Sequence, residues 1–143
     1  MHTVNQILSR KGSHAISIHV HATVLETLKL MAEKNIGSVV VLDDYEQYCG
    51  IVTERDYSRK VILKGKSSTD TSVEEIMSTD LPHVSPKDTV EHCMELMSDN
   101  YIRYIPVFSG NELKGIVSMS DVVKETMLMQ QETIDHLHQY ISL

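Results

Sequence analysis

Two short segments hold the residue types from which ligand chemistry is most readily built: Gly50-Ile51-Val52-Thr53-Glu54-Arg55-Asp56 and Gly115-Ile116-Val117-Ser118-Met119-Ser120-Asp121. Each reads glycine, two β-branched residues, a hydroxyl, two variable positions and an aspartate. The branched pair suits a short buried strand. A hydroxyl with an acid three places on is close to a capping box, so the next residues read as a helix start. A strand running straight into a helix N-terminus presents free N–H groups and the positive end of the helix dipole, which suits a phosphate. The aspartate can accept hydrogen bonds from sugar hydroxyls. The same pattern also reads as a self-capping junction with no ligand.

Arg103 is the other residue with chemistry to explain. It lies in the apolar run Ile102-Arg103-Tyr104-Ile105-Pro106-Val107-Phe108. A charge there needs a partner. One choice is a carboxylate such as Asp121 or Glu112. The other is a ligand phosphate, which a guanidinium meets with a planar fork of donors. Arg55, Arg59, Lys60, Lys64 and Lys66 form a second basic group, five of the 13 Lys and Arg residues. Arg55 is read as phosphate-facing, and Lys64 and Lys66 as solvated. Arg10 and Lys11 either reach a phosphate or form a solvated pair of charges, and the second reading is preferred.

The two segments belong to a longer repeat. Thr23-Val24, Leu30-Met31, Ile36 and Val41 recur as Thr89-Val90, Leu96-Met97, Ile102 and Val107 at an offset of 66 residues. Gly50 to Asp56 recurs as Gly115 to Asp121 at 65. Gly37 thus stands opposite Arg103. The period is too long for a solenoid unit. Two such copies read as a tandem pair.

These features resemble a pair of CBS motifs, the tandem unit also called a Bateman module, as in stand-alone CBS-pair proteins. The likeness rests on the Thr-Val helix start, the apolar strands near Ile36–Leu42 and Ile102–Phe108, and the Gly-apolar-apolar-[Ser/Thr]-x-x-Asp ending. It covers roughly residues 13 to 130. It implies an α/β (α+β) fold of two pseudo-symmetric β-α-β-β-α motifs packed as one module around a shared cleft, with helical extensions at both ends. It also implies an adenine nucleotide as ligand: AMP, ADP, ATP or NAD, with S-adenosylmethionine bound by some members. The first site it implies contains Ala15, Ile16, Ile36, Gly37, Ser38, Thr53, Arg55 and Asp56. The second contains Leu81, Pro82, Ile102, Arg103, Tyr104, Pro106, Ser118, Ser120 and Asp121. The aspartates would bind ribose hydroxyls, Thr53 and Ser118 the sugar or phosphate, and the arginines phosphate charge. The expected role is regulation or energy sensing by ligand-induced conformational change, in a homodimer acting on an unidentified effector protein. The alternative is a dimerisation scaffold that needs no ligand.

Composition narrows the field. At 143 residues and 41% apolar content the chain suits one domain with a real core. A formal charge of −7 argues against nucleic acid or an acidic membrane as partner. Cys49 and Cys93 form no CxxC pattern, and no span or signal run is evident, so a reducing, cytoplasmic setting is expected. No nucleophile elbow, Walker loop or G-x-G-x-x-G is present, and no enzyme is expected. His14, His19 and His21 lie close in sequence, and in a strand the last two point the same way. With no acidic or cysteine partner at a telling spacing, no metal site is expected.

The elements that must position these residues follow in order. Residues 1–12 form a lead helix on Val4, Ile7 and Leu8. The first motif spans 13–66, with a strand over Ala15–Val20, a helix from Thr23 with Val24, Leu28, Met31 and Ala32 inward, and a strand buried on both sides over Ile36–Leu42. Residues 67–78 are a linker with a short helix. The second motif spans 79–130, with Val90, Met94 and Met97 inward, and Pro106 marks a sheet edge or a bulge. In the tail, 131–143, Ile134, Leu137 and Ile141 continue a near-heptad stripe begun by Val123 and Met127, which needs cover.

Overall fold

Hydroxyl caps start the helices where the repeat places them. The computed structural model describes residues 2–12 and 14–142. Contacts divide the chain into two compact units. The first is Ala15–Leu81, and the second joins the N-terminal segment up to His14 with the chain from Pro82 onward.

In the first unit, β1 (Ser17–His19) pairs parallel with β2 (Ser38–Leu42), which pairs antiparallel with β3 (Tyr48–Thr53). Between β1 and β2 runs α2 (Val24–Lys34), capped by Thr23 Oγ1, which accepts from the Glu26 N–H at 3.1 Å. The helix ends at Asn35 in the left-handed region, φ 54°. Val39, Val40 and Val41 are buried in succession, so both faces of β2 are covered, as the unbroken apolar run predicts. The core is Val20, Val24, Met31, Val39, Val41, Val52, Val61, Val73 and Ile76. Gly50 is needed because Ser78 bridges to Ile51 and a Cβ at position 50 would meet the Ser78 carbonyl at 2.9 Å. Beyond β3, α3 (Glu54–Tyr57) passes into a π-helical turn over Ser58–Ile62.

The second unit repeats this plan. α4 (Val90–Asn100) is capped by Thr89 and ends at Tyr101 in the left-handed region, φ 53°. β4 (Tyr104–Ser109) pairs antiparallel with β5 (Glu112–Ser118), which leads into α5 (Met119–Ser142). Instead of a full first strand there is one parallel bridge, Val84 to Val107. Pro106 sits on that weakly paired side, just before a register shift at Val107 and Phe108, so its missing donor interrupts little. The core holds Val4, Ile7, Leu8, Val90, Cys93, Met97, Ile105, Val107, Val117 and Val122.

Each repeat has its lead segment in the other repeat's unit. The Val90 N–H donates to the His2 carbonyl and the Val4 N–H to the Asp88 carbonyl. In the first unit, the Val24 N–H donates to Thr71 and the Val73 N–H to Ala22 in the same pattern. Both lead segments open on a capping box, Thr3 with Gln6 and Ser72 with Glu75. The lead helix α1 (Val4–Lys11) therefore packs with β5 and α5, and the 3-10 turn Val73–Glu75 packs in the first unit.

Three local expectations change. Ala32 is exposed and Thr27 is buried in its place, its hydroxyl donating back to the Thr23 carbonyl at 3.0 Å. Met94 is 38% exposed, and Cys93 takes the inward position. Arg10 is exposed but not unpaired: its guanidinium grips Glu125 through Nε at 2.9 Å and Nη2 at 3.1 Å.

Glu125 is 2% exposed and also bonds His2 Nδ1, while His2 Nε2 reaches Glu132 at 2.8 Å. Burial alone would raise the Glu125 pKa, but the bonds from Arg10 and His2 outweigh it and hold the group below the usual range. His2 is shifted up by Glu132 first and then Glu125. Its stabilising effect is therefore full below the unfolded value near 6.5 and is lost as pH rises through the higher folded value. Urea denaturation should show stability falling as pH rises above about 6.5, with the slope flattened in His2→Gln. Glu125→Gln should cost about 2 kcal/mol near neutral pH, since it strips the buried partner from two cations.

Candidate functional site

Where β4 begins beside the start of α5, the second unit forms a groove of about 950 Å³. Arg103, Tyr104, Ser118, Met119, Ser120, Val123, Lys124, Met127 and Leu128 line it. The backbone explains the gathering. Tyr104 pairs with Ser118 across the sheet, and the Met119 N–H donates to the Arg103 carbonyl at 2.8 Å. That bond puts the Arg103 side chain beside the first turn of α5. Arg103 is exposed at the strand entry, not enclosed in it, and neither carboxylate named for it is its partner: Asp121 binds Lys11 and Glu112 binds Lys114. Among the described residues neither Arg103 nor Lys124 makes an ion pair.

Asp121 and Ser118 form a reciprocal cap. The Ser118 N–H donates to Asp121 Oδ2 at 2.9 Å and the Asp121 N–H to Ser118 Oγ at 3.1 Å. Lys11 Nζ also meets Asp121 Oδ2 at 2.7 Å and the Ile116 carbonyl at 2.9 Å. Ser118 Oγ and Ser120 Oγ lie 3.0 Å apart, so one of the two hydroxyl protons is left for another acceptor. Two of the first three N–H groups of α5 are thus consumed internally. An anion here would be met by side chains more than by the helix terminus. Of the other residues named for this site, Ile102 is half-buried against the core, Pro106 is buried two residues into β4, and Leu81 and Pro82 lie half-buried outside regular structure.

The first unit gathers its own set. Ser38 pairs with Thr53, and the Glu54 N–H donates to the Gly37 carbonyl at 3.2 Å, the counterpart of the Met119 bond. Ile36, Gly37, Ser38, Thr53 and Arg55 therefore share one end of the sheet, all half-buried. Ala15 and Ile16 precede β1, where the Ile16 carbonyl accepts from the Val40 N–H. Asp56 turns inward, 7% exposed. It accepts from the Thr53 N–H, the Thr53 hydroxyl and the Ser78 hydroxyl, with Lys60 Nζ at 2.9 Å. Lys60 also donates to the Ile76 carbonyl, so it is committed to the fold rather than to a phosphate-facing patch.

A family model for the CBS domain matches residues 4–62 and again 73–127. The chain belongs to the CBS-domain family. The first half runs β-α-β-β-α, and the second keeps α-β-β-α with the Val84 bridge in place of its first strand. The mitochondrial CBS domain-containing protein CBSX3 of Arabidopsis thaliana is 37% identical over 97% of this chain and 71% of its own length. A protein with CBS domains from Burkholderia ambifaria has a solved structure 41% identical to this CBS pair, with TM-score 0.83, covering 88% of this chain and 94% of that one. A hexameric CBS-CP12 protein from bloom-forming cyanobacteria is 34% identical, with TM-score 0.74, covering 86% and 70%.

Sequence reading missed Met119, Val123, Lys124, Met127 and Leu128 as groove residues. The signal was available in the helical spacing of Ser120, Val123, Lys124 and Met127, which puts them on one face.

The two motif aspartates differ in burden, and this is measurable. Asp56→Ala removes the acceptor of three hydrogen bonds and a lysine partner and should cost about 2–3 kcal/mol in chemical denaturation. Asp121→Ala, at a more exposed cap, should cost about 1 kcal/mol.

Proposed function

We propose that this CBS pair is an adenine-nucleotide-binding regulatory module, taking AMP, ADP, ATP or NAD. The observation that carries the reading is the composition of the groove at the start of α5. Met119, Val123, Met127 and Leu128 offer an apolar wall suited to a planar base. Ser118 and Ser120 offer hydroxyls to a sugar, and Arg103 and Lys124 offer cations with no protein counter-charge among the described residues. A ligand with a flat base at one end and a phosphate at the other matches that arrangement. The first site is proposed on Ala15, Ile16, Ile36, Gly37, Ser38, Thr53 and Arg55. Asp56 serves there through the cap it holds, because its carboxylate is already engaged.

The module works by shifting an equilibrium between conformations, which a ligand can do only through its differential affinity for them. Its output is a partner protein or its own assembly. The second half of α5 supports a homodimer: Ile134, Leu137 and Ile141 are 46%, 55% and 78% exposed on a helix with no cover of its own. The proposed setting is the cytoplasm, consistent with unpaired Cys49 and Cys93. No described helix is long and apolar enough to cross a membrane.

Calorimetric titration of nucleotide-free protein with AMP, ATP, NAD and S-adenosylmethionine should give saturable heat with at least one of the first three. Arg103→Ala, at an exposed position, should weaken that affinity by about ten- to a hundredfold, the worth of a charge-assisted bond. No heat with any nucleotide would overturn the reading in favour of a ligand-independent scaffold.

A further inference from the structure

The fold of the first unit gives the histidines at the end of β1 an acidic partner that their spacing alone does not reveal. His19 Nε2 lies 2.9 Å from Asp44 Oδ1, and His21 Nε2 lies 3.4 Å from the same oxygen. The three candidate ligand atoms are all within 4.8 Å of one another. We propose that His19, His21 and Asp44 form a surface site for a zinc-class divalent cation, independent of the nucleotide reading. Zinc bonds of 2.0–2.2 Å in tetrahedral geometry put neighbouring ligand atoms about 3.3 Å apart, so small side-chain shifts complete the site. Two imidazoles with one carboxylate suit zinc, cobalt or nickel, whereas calcium and magnesium want more oxygen. The fourth position is open to water.

The backbone holds the three groups in place before any ion arrives. His19 pairs with Leu42 at the end of the parallel β1–β2 ladder, and the Val20 N–H donates to the Leu42 carbonyl at 2.8 Å. Asp43 builds the turn after β2: its Oδ1 accepts from the Tyr45 and Gln47 N–H groups at 2.8 and 3.0 Å. With Asp43 fixing the turn, the Asp44 carboxylate is left facing the imidazoles. The His21 N–H donates to His19 Nδ1 at 3.2 Å. That long bond is given up on metal binding, because the neutral ring then carries its proton on Nδ1. The bound cation would clamp the end of β1 to the β2–β3 turn.

The test is titration of the untagged, chelator-treated protein with zinc(II), followed by calorimetry and thermal melting, with cobalt(II) as a spectroscopic probe. The expected result is one saturable equivalent, a rise in melting temperature with zinc, and intense visible cobalt bands of four-coordination. His19→Ala, His21→Ala and Asp44→Asn should each weaken binding about tenfold or more. These side chains are exposed, so the fold should survive. The double variant His136→Ala/His138→Ala, on the exposed part of α5, should leave it unchanged. Absence of a saturable equivalent, or binding that survives loss of both His19 and His21, would overturn the proposal.

Discussion

A carboxylate cannot stay ionised in a protein interior unless its charge is met. Glu125 is placed under that condition, and much of the second unit follows from it. Arg10 and His2 meet the charge from the N-terminal segment, more than a hundred residues away in the chain. The lead helix is thereby tied to α5. One turn before Glu125 on the same face, Asp121 takes Lys11. Glu132, further along, takes the other nitrogen of His2. Acids along one side of α5 thus bind bases on α1 and, through His2, just before it. Val123 and Met127 are turned away from this face and line the groove. The packing that fixes the helix and the surface proposed for the ligand are two sides of one element.

The repeat shows how one backbone plan can serve two chemistries. The Gly37 and Arg103 carbonyls both accept from the first turn of the following helix. The backbone task is the same, so the side chain is free to differ: nothing in one copy, a guanidinium in the other. The aspartates diverge in the opposite sense. Asp56 is drawn in by Ser78 and Lys60, while Asp121 stays at the surface beside Lys11. After them the helices part. The first breaks into a π-turn within one turn, and the second runs on to Ser142.

What was legible in the sequence was local. Thr23, Thr53, Thr89 and Ser118 cap helices through bonds to residues three places on, and such bonds leave a fixed spacing. The unbroken valines of β2 announced burial on both sides. Long-range pairs left no such mark. Arg10 with Glu125 and His19 with Asp44 are joined only by the fold, so Arg10 read as solvated and the histidines as lacking an acid. Thr27 was missed because its hydroxyl is satisfied by its own helix, which lets a polar residue take an inward position. Arg103 was seen as a charge needing an answer. Its place at the strand entry, not within the strand, was set by a backbone bond to Met119 that side-chain patterns do not encode.

An anion site proposed on an acidic chain is a smaller paradox than the formal charge of −7 suggests. Net charge governs the distant field, but a bound phosphate responds to charges within about a Debye length, roughly 8 Å at physiological salt. Two acids on the helix that lines the groove are already engaged: Asp121 by its cap and Lys11, and Glu125 by Arg10 and His2. Each of these ion pairs removes a negative charge from the local balance. Arg103 and Lys124 line the groove with no such neutralisation among the described residues. The ties that hold α1 to α5 therefore also offset two of the acids on the helix that lines the groove. A substitution that freed Asp121 or Glu125 would act on the site through its electrostatics as well as through its shape.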